Sequence, residues 1–449
     1  MRSILKSLLQ LLPLNQSGLR GKAINNTYWL FFDQLVRMVI GFGTLIIVAR
    51  SFGPELFGKL NYAIAFVSLF SVFSSLGIER ILAREFIADE ENALSHLRTG
   101  FFLKLIGGFF LFTTAILVST LIDKGDQTTQ LLVVIFASIS IFQSFDVIEY
   151  WFQSRMESKF SILAKLIPFI LSSIGKIVIA LFYPSLVLLG CIYLSEAILA
   201  AIGLFWFYEK KHKSFLRLFE LARAKTILKE SLPLIFSGVF VTIYMKIDQV
   251  FLQHMASSEA VGIYAAVVRV SEIPFFIGTI LTNAAFPIII RSKKLSEDTY
   301  YHDLQFLFSI VVWISLVIAF LTTIFSPIII SIIYGQEYIA AIPVLRVHIW
   351  SLLFVFMGTA QGVWVIGEKY TKLTFIATLA GAIVNIMMNL MLIPQYGALG
   401  ASAATLASYA VAGFLINFLF IRTHVVAKMQ CRSFLPGVLW RELLRRKVK

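Results

Sequence analysis

The chain has 449 residues, 58% hydrophobic and only 14% charged, with mean hydropathy +0.84. A soluble protein of this length would form about three domains, but apolar runs long enough to span a bilayer as helices of about 20 residues recur from end to end, which excludes a soluble core. The formal net charge of +14 would point to nucleic acid on a soluble chain; on a membrane chain it raises the question of which side the basic residues occupy, and no nucleic-acid partner is expected.

The first segment, residues 1–23, begins MRSILKSLLQLLPLNQSG. Pro13 interrupts its short apolar run and no A-x-A site follows, so it reads as a cytoplasmic or interfacial amphipathic segment rather than a signal peptide. Twelve transmembrane helices are then expected near 24–50, 58–78, 100–121, 130–151, 160–182, 184–208, 231–255, 262–290, 304–333, 340–366, 372–394 and 398–421. The basic loop 209–230, EKKHKSFLRLFELARAKTILKE, is the natural linker between an N-lobe (24–208, helices one to six) and a C-lobe (231–421, helices seven to twelve). Such a loop is also suited to anionic headgroups at the membrane surface. A basic tail, 422–449, closes the chain. The fold class expected is therefore all-α and polytopic, with two six-helix lobes around a central lumen.

Orientation follows from loop charge. If the N-terminus is cytoplasmic, the opposite loops hold only Arg50, Lys59 and Lys124, seven more basic residues lie within spans, and the remaining 29 of 39 fall on the cytoplasmic side. That asymmetry is the positive-inside signal, and it places both termini in the cytoplasm.

The two halves echo each other weakly. RSFGPELFGKLNYAIAF (50–66) and HMASSEAVGIYAAVVRV (254–270) align with Glu55 on Glu259 and Gly58 on Gly262. Six helices per half would give parallel repeats related by an axis along the membrane normal. GPELFGK (53–59) mimics a phosphate-binding loop, but Leu60 stands where Ser or Thr should hold magnesium, and no strand precedes it. It reads as a Gly/Pro turn between helices. Cys191 and Cys431 form no framework and the six histidines no metal spacing. Neither a metal, a cofactor nor a catalytic residue is expected.

Charges within spans carry the chemistry, because they mark pathways, relays or pairs. Lys104, Glu149 and Arg346 lie near span ends and read as snorkelling side chains; Asp146 and Lys165 lie deeper and are ambiguous. Arg37 sits about 20 Å from either end of its span, too deep to snorkel. It is either paired with Asp33, four residues earlier, or a substrate contact. Lys165 and Lys176, eleven residues apart, share one helix face about 16 Å long, a ladder suited to an anionic headgroup. Lys246 and Arg269 complete the cations placed in the substrate lumen. Glu196, Asp248 and Glu272, with Asp33, are the carboxylates for ion coupling or ion pairing, since protonation removes the desolvation cost. Lys246 and Asp248 are two apart and cannot share a face. The small-residue stretches GTAQG (358–362) and GALGASAATLAS (397–408) are expected to let helix backbones approach.

FGPELFGKLNYAIAF, IDQVFLQHMASSEAVGIYAAVVRVSE and NLMLIPQYGALGASAATLAS resemble the polysaccharide and O-antigen flippases of the multidrug/oligosaccharidyl-lipid/polysaccharide exporter superfamily, over about residues 20–422. The resemblance implies a lumen with alternating access in the bacterial cytoplasmic membrane. It implies a polyprenyl-diphosphate-linked oligosaccharide as substrate, for O-antigen or another surface polysaccharide, with polymerase machinery as a further partner beside the membrane lipids. By matched position it extends to Asp248 and Arg269 only. Coupling to H+ or Na+ stays open. The alternative is a relative with other cargo, an ion-coupled drug antiporter or a lipid II flippase; the cations within the spans disfavour the former, and twelve spans rather than fourteen disfavour the latter. The short extracytoplasmic loops disfavour an enzyme.

Overall fold

The computed structural model describes residues 17–212 and 220–438. The expected surface segment at 1–23 lies outside the described residues up to residue 16, as do residues 213–219 of the linker and 439–449 of the tail. All regular structure among the described residues is helical. Its principal helices are α1 (17–52), α2 (54–69), α3 (Glu79–Ala88), α4 (Ala93–Ile122), α5 (Gln127–Phe142), α6 (Asp146–Ser154), α7 (Ser158–Phe182), α8 (Leu186–His212) and α9 (Leu221–Met255). They continue as α10 (Ser258–Glu272), α11 (Phe275–Leu295), α12 (Glu297–Ile333), α13 (Ala341–His348), α14 (Ser351–Gly367), α15 (372–396), α16 (398–413) and α17 (His424–Ser433).

Nine stretches among the described residues are long and apolar enough to cross a membrane, and the bent pair Leu221–Pro233 and Gly238–Met255 makes a tenth. Two of the ten are double. Gly53 (φ 68°) separates α1 from α2, and Gly397 (φ 53°) separates α15 from α16. Both angles belong to the left-handed region, where glycine alone carries no Cβ penalty. Pro54, directly after Gly53, has the fixed φ that suits a first helical position. The GPELFGK stretch is therefore a helix–turn–helix corner, and the chain is an all-α polytopic membrane protein of about twelve spans. Helix starts are fixed locally by caps: Asp126, Ser257 and Ser296 accept from the backbone N–H of Thr129, Ala260 and Thr299 at 3.0, 3.1 and 3.1 Å.

Contacts divide the chain into two compact units, Met1–Phe52 with Phe66–Val239, and Gly53–Ala65 with Phe240–Lys449. The first has a core of Ile78, Leu82, Phe86, Leu97, Trp151 and Phe152. Ile106, Leu117, Leu121, Leu181 and Phe182 are exposed on its outside. That is the arrangement hydrocarbon solvent favours, since apolar side chains need no burial there while backbone groups must be satisfied within the helix.

In the second unit α2 and α10 meet at bare backbone. A Cβ on Gly58 would lie 1.7 Å from the Ser258 carbonyl oxygen, and one on Gly262 would lie 1.9 Å from that of Pro54. Pro54 corresponds to Ser258 and Gly58 to Gly262 in the register that aligns Glu55 with Glu259. The contact is thus reciprocal, as in a two-fold interface, and it requires glycine at both positions.

Candidate functional site: two buried charge systems

In the first unit, α7 presents Lys165, Phe169, Ser172 and Lys176 at intervals of four, three and four residues, one stripe of a 3.6-residue helix. Each meets a charged or aromatic partner. Lys165 Nζ lies 2.6 Å from Asp146 Oδ1 and also donates to Glu149 Oε2. The Phe169 ring lies under the Arg37 guanidinium, 4.9 Å from its centroid. Ser172 Oγ donates to Glu196 Oε2, and Lys176 Nζ donates to the same oxygen at 2.8 Å while sitting 3.6 Å from the Tyr193 ring centroid. Arg37 Nε donates to both Asp33 oxygens at 2.9 and 3.1 Å.

Lys104 corrects the sequence reading. It does not snorkel; it is 3% exposed, 3.7 Å from Asp146 Oδ2 and 3.2 Å from the Tyr150 hydroxyl. Glu149 likewise turns inward to Lys165, and Arg346 donates to Ser326 Oγ at 3.0 Å. Position near a span end therefore did not decide Lys104 or Glu149, each of which has an oppositely charged partner on a neighbouring helix, whereas Arg346 is exposed and its hydrogen bond leaves the snorkelling reading open.

Four cations (Arg37, Lys104, Lys165, Lys176) face four carboxylates (Asp33, Asp146, Glu149, Glu196) in this unit. A cavity of about 260 Å³ opens on four of them, lined by Arg37, Asp146, Lys165 and Glu196 with Gln143, Tyr193 and small residues such as Ala197, Ala200 and Ala201. The lysine ladder is real as a helix face, yet it is a ladder of ion pairs. An anionic ligand entering here would exchange with carboxylates already in place.

The second unit is built differently. Asp248 on α9 is 2% exposed. Its Oδ2 accepts from the Tyr264 hydroxyl at 2.5 Å and the Thr405 hydroxyl at 2.7 Å, and its Oδ1 accepts from Asn389 Nδ2 at 2.5 Å. Asn389 Nδ2 also donates to Asn385 Oδ1 at 3.0 Å. No cationic side chain pairs with Asp248 among the described residues. Asn389 Oδ1 and Asn385 Nδ2 are buried without a partner. The result is an oxygen-rich cage around one carboxylate, with α9, α10, α15 and α16 each contributing.

Lys246 is two residues away but half-buried on another face. It lies within electrostatic reach of Glu272 and Arg269, and Glu272 of both cations. Lys246 thus interacts most strongly with Glu272 and Arg269 and more weakly with Asp248, with which it makes no ion pair. Four cage members, Tyr264, Asn385, Asn389 and Thr405, were missed in the sequence. Asn385 and Asn389, spaced i,i+4 in an otherwise apolar run, were the available signal. Thr405 lies in a stretch read as packing only. That reading holds for Gly400, whose Cβ would lie 2.4 Å from the Leu392 carbonyl oxygen. It does not hold for Gly362, which meets nothing within 4 Å and lines a cavity of about 290 Å³ with Gly358 and Gly413.

These helices define a multi-pass membrane transporter fold. The protein resembles an inward-facing multidrug resistance MATE transporter of the MOP superfamily (TM-score 0.66, 14% identity, 86% of this chain and 95% of the other) and the lipid II flippase MurJ in an inward closed conformation (TM-score 0.68, 15% identity, 94% and 96%).

The particular family is given by sequence. The family described as polysaccharide biosynthesis protein matches residues 23–293, more than half the chain, and the MatE family matches 233–391. The chain belongs to the polysaccharide biosynthesis protein family, and the resemblance to that superfamily's polysaccharide flippases holds at family level. Relatives include the capsular polysaccharide biosynthesis protein CapF of Staphylococcus aureus, 23% identical over 90% of this chain and all of CapF. The teichuronic acid biosynthesis protein TuaB of Bacillus subtilis is 24% identical over 77% of this chain and 72% of its own length.

Proposed function

We propose that the protein moves a polyprenyl-diphosphate-linked oligosaccharide across the bacterial cytoplasmic membrane by alternating access, with both termini in the cytoplasm. The observation that carries this reading is the α7 stripe of paired cations, of which Lys165 borders, together with Arg37, Asp146 and Glu196, a cavity of about 260 Å³. Diphosphate is the chemistry that suits it. Its oxygens can replace Glu149 or Asp146 on Lys165, Asp33 on Arg37 and Glu196 on Lys176, so no buried cation is left unpaired during the exchange. Carboxylates released in this way are free to take up protons or to face water. Lys246 and Arg269, with Glu272 beside them, supply the corresponding cationic group in the second unit.

Asp248 is the coupling residue in this proposal. A fully buried carboxylate without a cationic partner is stable only when protonated or when a monovalent cation joins it. The cage oxygens of Thr405, Asn389 and Asn385 suit Na+ as well as a neutral carboxyl suits H+, and the two ions are distinguished by experiment. Transport of the sugar rather than catalysis on it is the activity, and a polymerase would act on the delivered product.

The test is reconstitution with a labelled lipid-linked oligosaccharide in vesicles, with Arg37, Lys176 and Arg269 each replaced by Ala. Flipping should slow in every variant. Wild-type rates in all three would sink the cationic pathway.

A further inference from the structure

The last described helix, α17, is a docked element rather than a free tail. Val426, Ala427, Met429, Gln430 and Ser433 are buried. Gln305 Nε2, from the first turns of α12, donates to the Met429 carbonyl at 3.0 Å and to Ser433 Oγ at 2.9 Å. Gln430 Nε2 donates to the Gly413 carbonyl at 2.8 Å, and its Oε1 accepts from Asn417 Nδ2 at 3.0 Å. Buried amide bonds of this kind fix the rotation of α17 about its own axis, since any other rotation would leave polar groups unsatisfied.

That rotation points His424, Lys428 and Arg432, spaced i, i+4, i+8, outward on one face. Lys428 and Arg432 meet no carboxylate within ion-pair distance among the described residues. Both line a cavity of about 580 Å³ shared with Tyr301, His302 and Gln305 of α12. The acid in its lining is Asp298, whose side chain is 90% exposed and lies 3.8 Å from His302. A volume of this size is in the range of small-ligand sites, about 300–1,000 Å³. Lys428 and Arg432 are one turn apart, roughly 6 Å of helical rise.

Two observations select the ligand. The cavity sits at the start of α12, a membrane span, and so at the boundary between lipid and water. Leu419, Ile421 and Leu435, flanking α17, are exposed apolar side chains at 73%, 88% and 57%. Bases beside exposed aliphatics form the signature of a helix lying in the headgroup layer. An acidic protein segment would match the bases but would leave Leu419 and Ile421 in water. We propose that the cleft between α12 and α17 binds the phosphate headgroup of an anionic phospholipid, with Lys428 and Arg432 as its cationic ligands and Tyr301 as a flanking wall. The site is independent of the α7 stripe and of the transport reading.

The experiment is native mass spectrometry of the full chain in detergent, titrated with phosphatidylglycerol or with phosphatidylcholine. The wild type should retain phosphatidylglycerol selectively, and retention should fall as salt is raised, a test that needs no variant. The double substitution K428Q/R432Q should weaken retention roughly 10- to 30-fold, K428R/R432K should restore it, and K294Q, outside the cavity, should leave it unchanged. Equal retention of both lipids, wild-type retention by K428Q/R432Q, or failure of the charge-preserving pair to restore it would each overturn the proposal. So would capture of an acidic peptide with no preference between the two lipids.

Discussion

The two units keep charge inside a membrane by opposite means. In the first, each of four cations has a carboxylate within reach, and Asp146 serves two lysines at once. In the second, Asp248 has hydroxyl and amide donors but, among the described residues, no cation within ion-pair distance. A buried pair is costly to break, because removing one partner strands the other charge, whereas a solitary carboxyl in a hydrogen-bonded cage can lose its charge to a proton with little rearrangement. On the function proposed above, the difference would separate two tasks. Pairs can exchange partners with an anionic cargo, while a lone carboxyl can report ion concentration.

The largest expected effect breaks the paired side. Lys165→Ala leaves Glu149 without its cation, while Asp146 keeps Lys104, and should destabilise the protein by about 3–5 kcal/mol, seen as a lower melting temperature in detergent. Adding Glu149→Gln should recover most of the loss, because the stranded negative charge is then gone, whereas adding Asp146→Asn as well should forfeit the recovery by stranding the buried Lys104. A double variant (Lys165→Ala with Glu149→Gln) no more stable than the single would show that Lys165 stabilises by packing alone.

Asp248→Asn probes the other side. Asparagine keeps the shape and strands no cation, so stability should change by less than about 1 kcal/mol. Transport should instead lose its ion dependence, with flipping slowed by roughly 5- to 150-fold, the range of ordinary coupling energies. A variant that still responds to a proton or sodium gradient would remove Asp248 from coupling. Sodium-dependent melting of the wild type, absent in the variant, would select Na+ over H+.

Arg37→Ala should have a smaller effect on stability. Its pair with Asp33 is i,i+4 on one helix with side chains 30% and 21% exposed, a geometry that contributes about 0.3–0.5 kcal/mol. A loss of transport well beyond that figure would mark Arg37 as a cargo contact, and matched small losses would mark it as structural.

Helix number and the Gly53 corner were legible because each rests on local chemistry, apolar length and a glycine before proline; the repeat that matches Gly58 with Gly262 was legible too, but not that the two glycines meet. Depth along a span also singled out Arg37, Lys176, Glu196 and Asp248. What depth could not supply was the neighbour. Lys104 lies close enough to a span end to reach the interface by length, yet its partners are Asp146, 42 positions along the chain, and Tyr150 beside it. Thr405 is 157 positions from Asp248, and nothing in a stretch of Gly, Ala and Ser distinguishes the one hydroxyl that faces a carboxylate. Partner choice across helices is a tertiary fact, and intramembrane charges derive their meaning from it.

The smallest effect is expected outside the spans, where charges are paired in water. Asp89 and Glu220 lie in the network that joins α3 and α4 to the start of α9. The Asn92 side chain, donating at 3.0 Å, holds the Asp89 carboxyl below its ordinary range, and the Ser95 hydroxyl at 2.6 Å, followed by Arg223, does so for Glu220. Depressed carboxyl values mean that the native state prefers the charged forms. Their contribution is full above the unfolded values and is lost as pH falls through the folded ones, a window below about pH 4. Hydrogen exchange of amides 221–230, corrected for its intrinsic pH dependence, should therefore stay constant from pH 7 to 5 and quicken below 4. Glu220→Gln should quicken it slightly from pH 7 to 5 and converge on the wild type at the lowest pH. Exposed pairs are screened by salt, so the same quickening should appear at pH 7 in high salt, whereas the Lys165 pairs should not respond. If salt weakened both alike, the distinction between buried exchange pairs and surface anchors would fail.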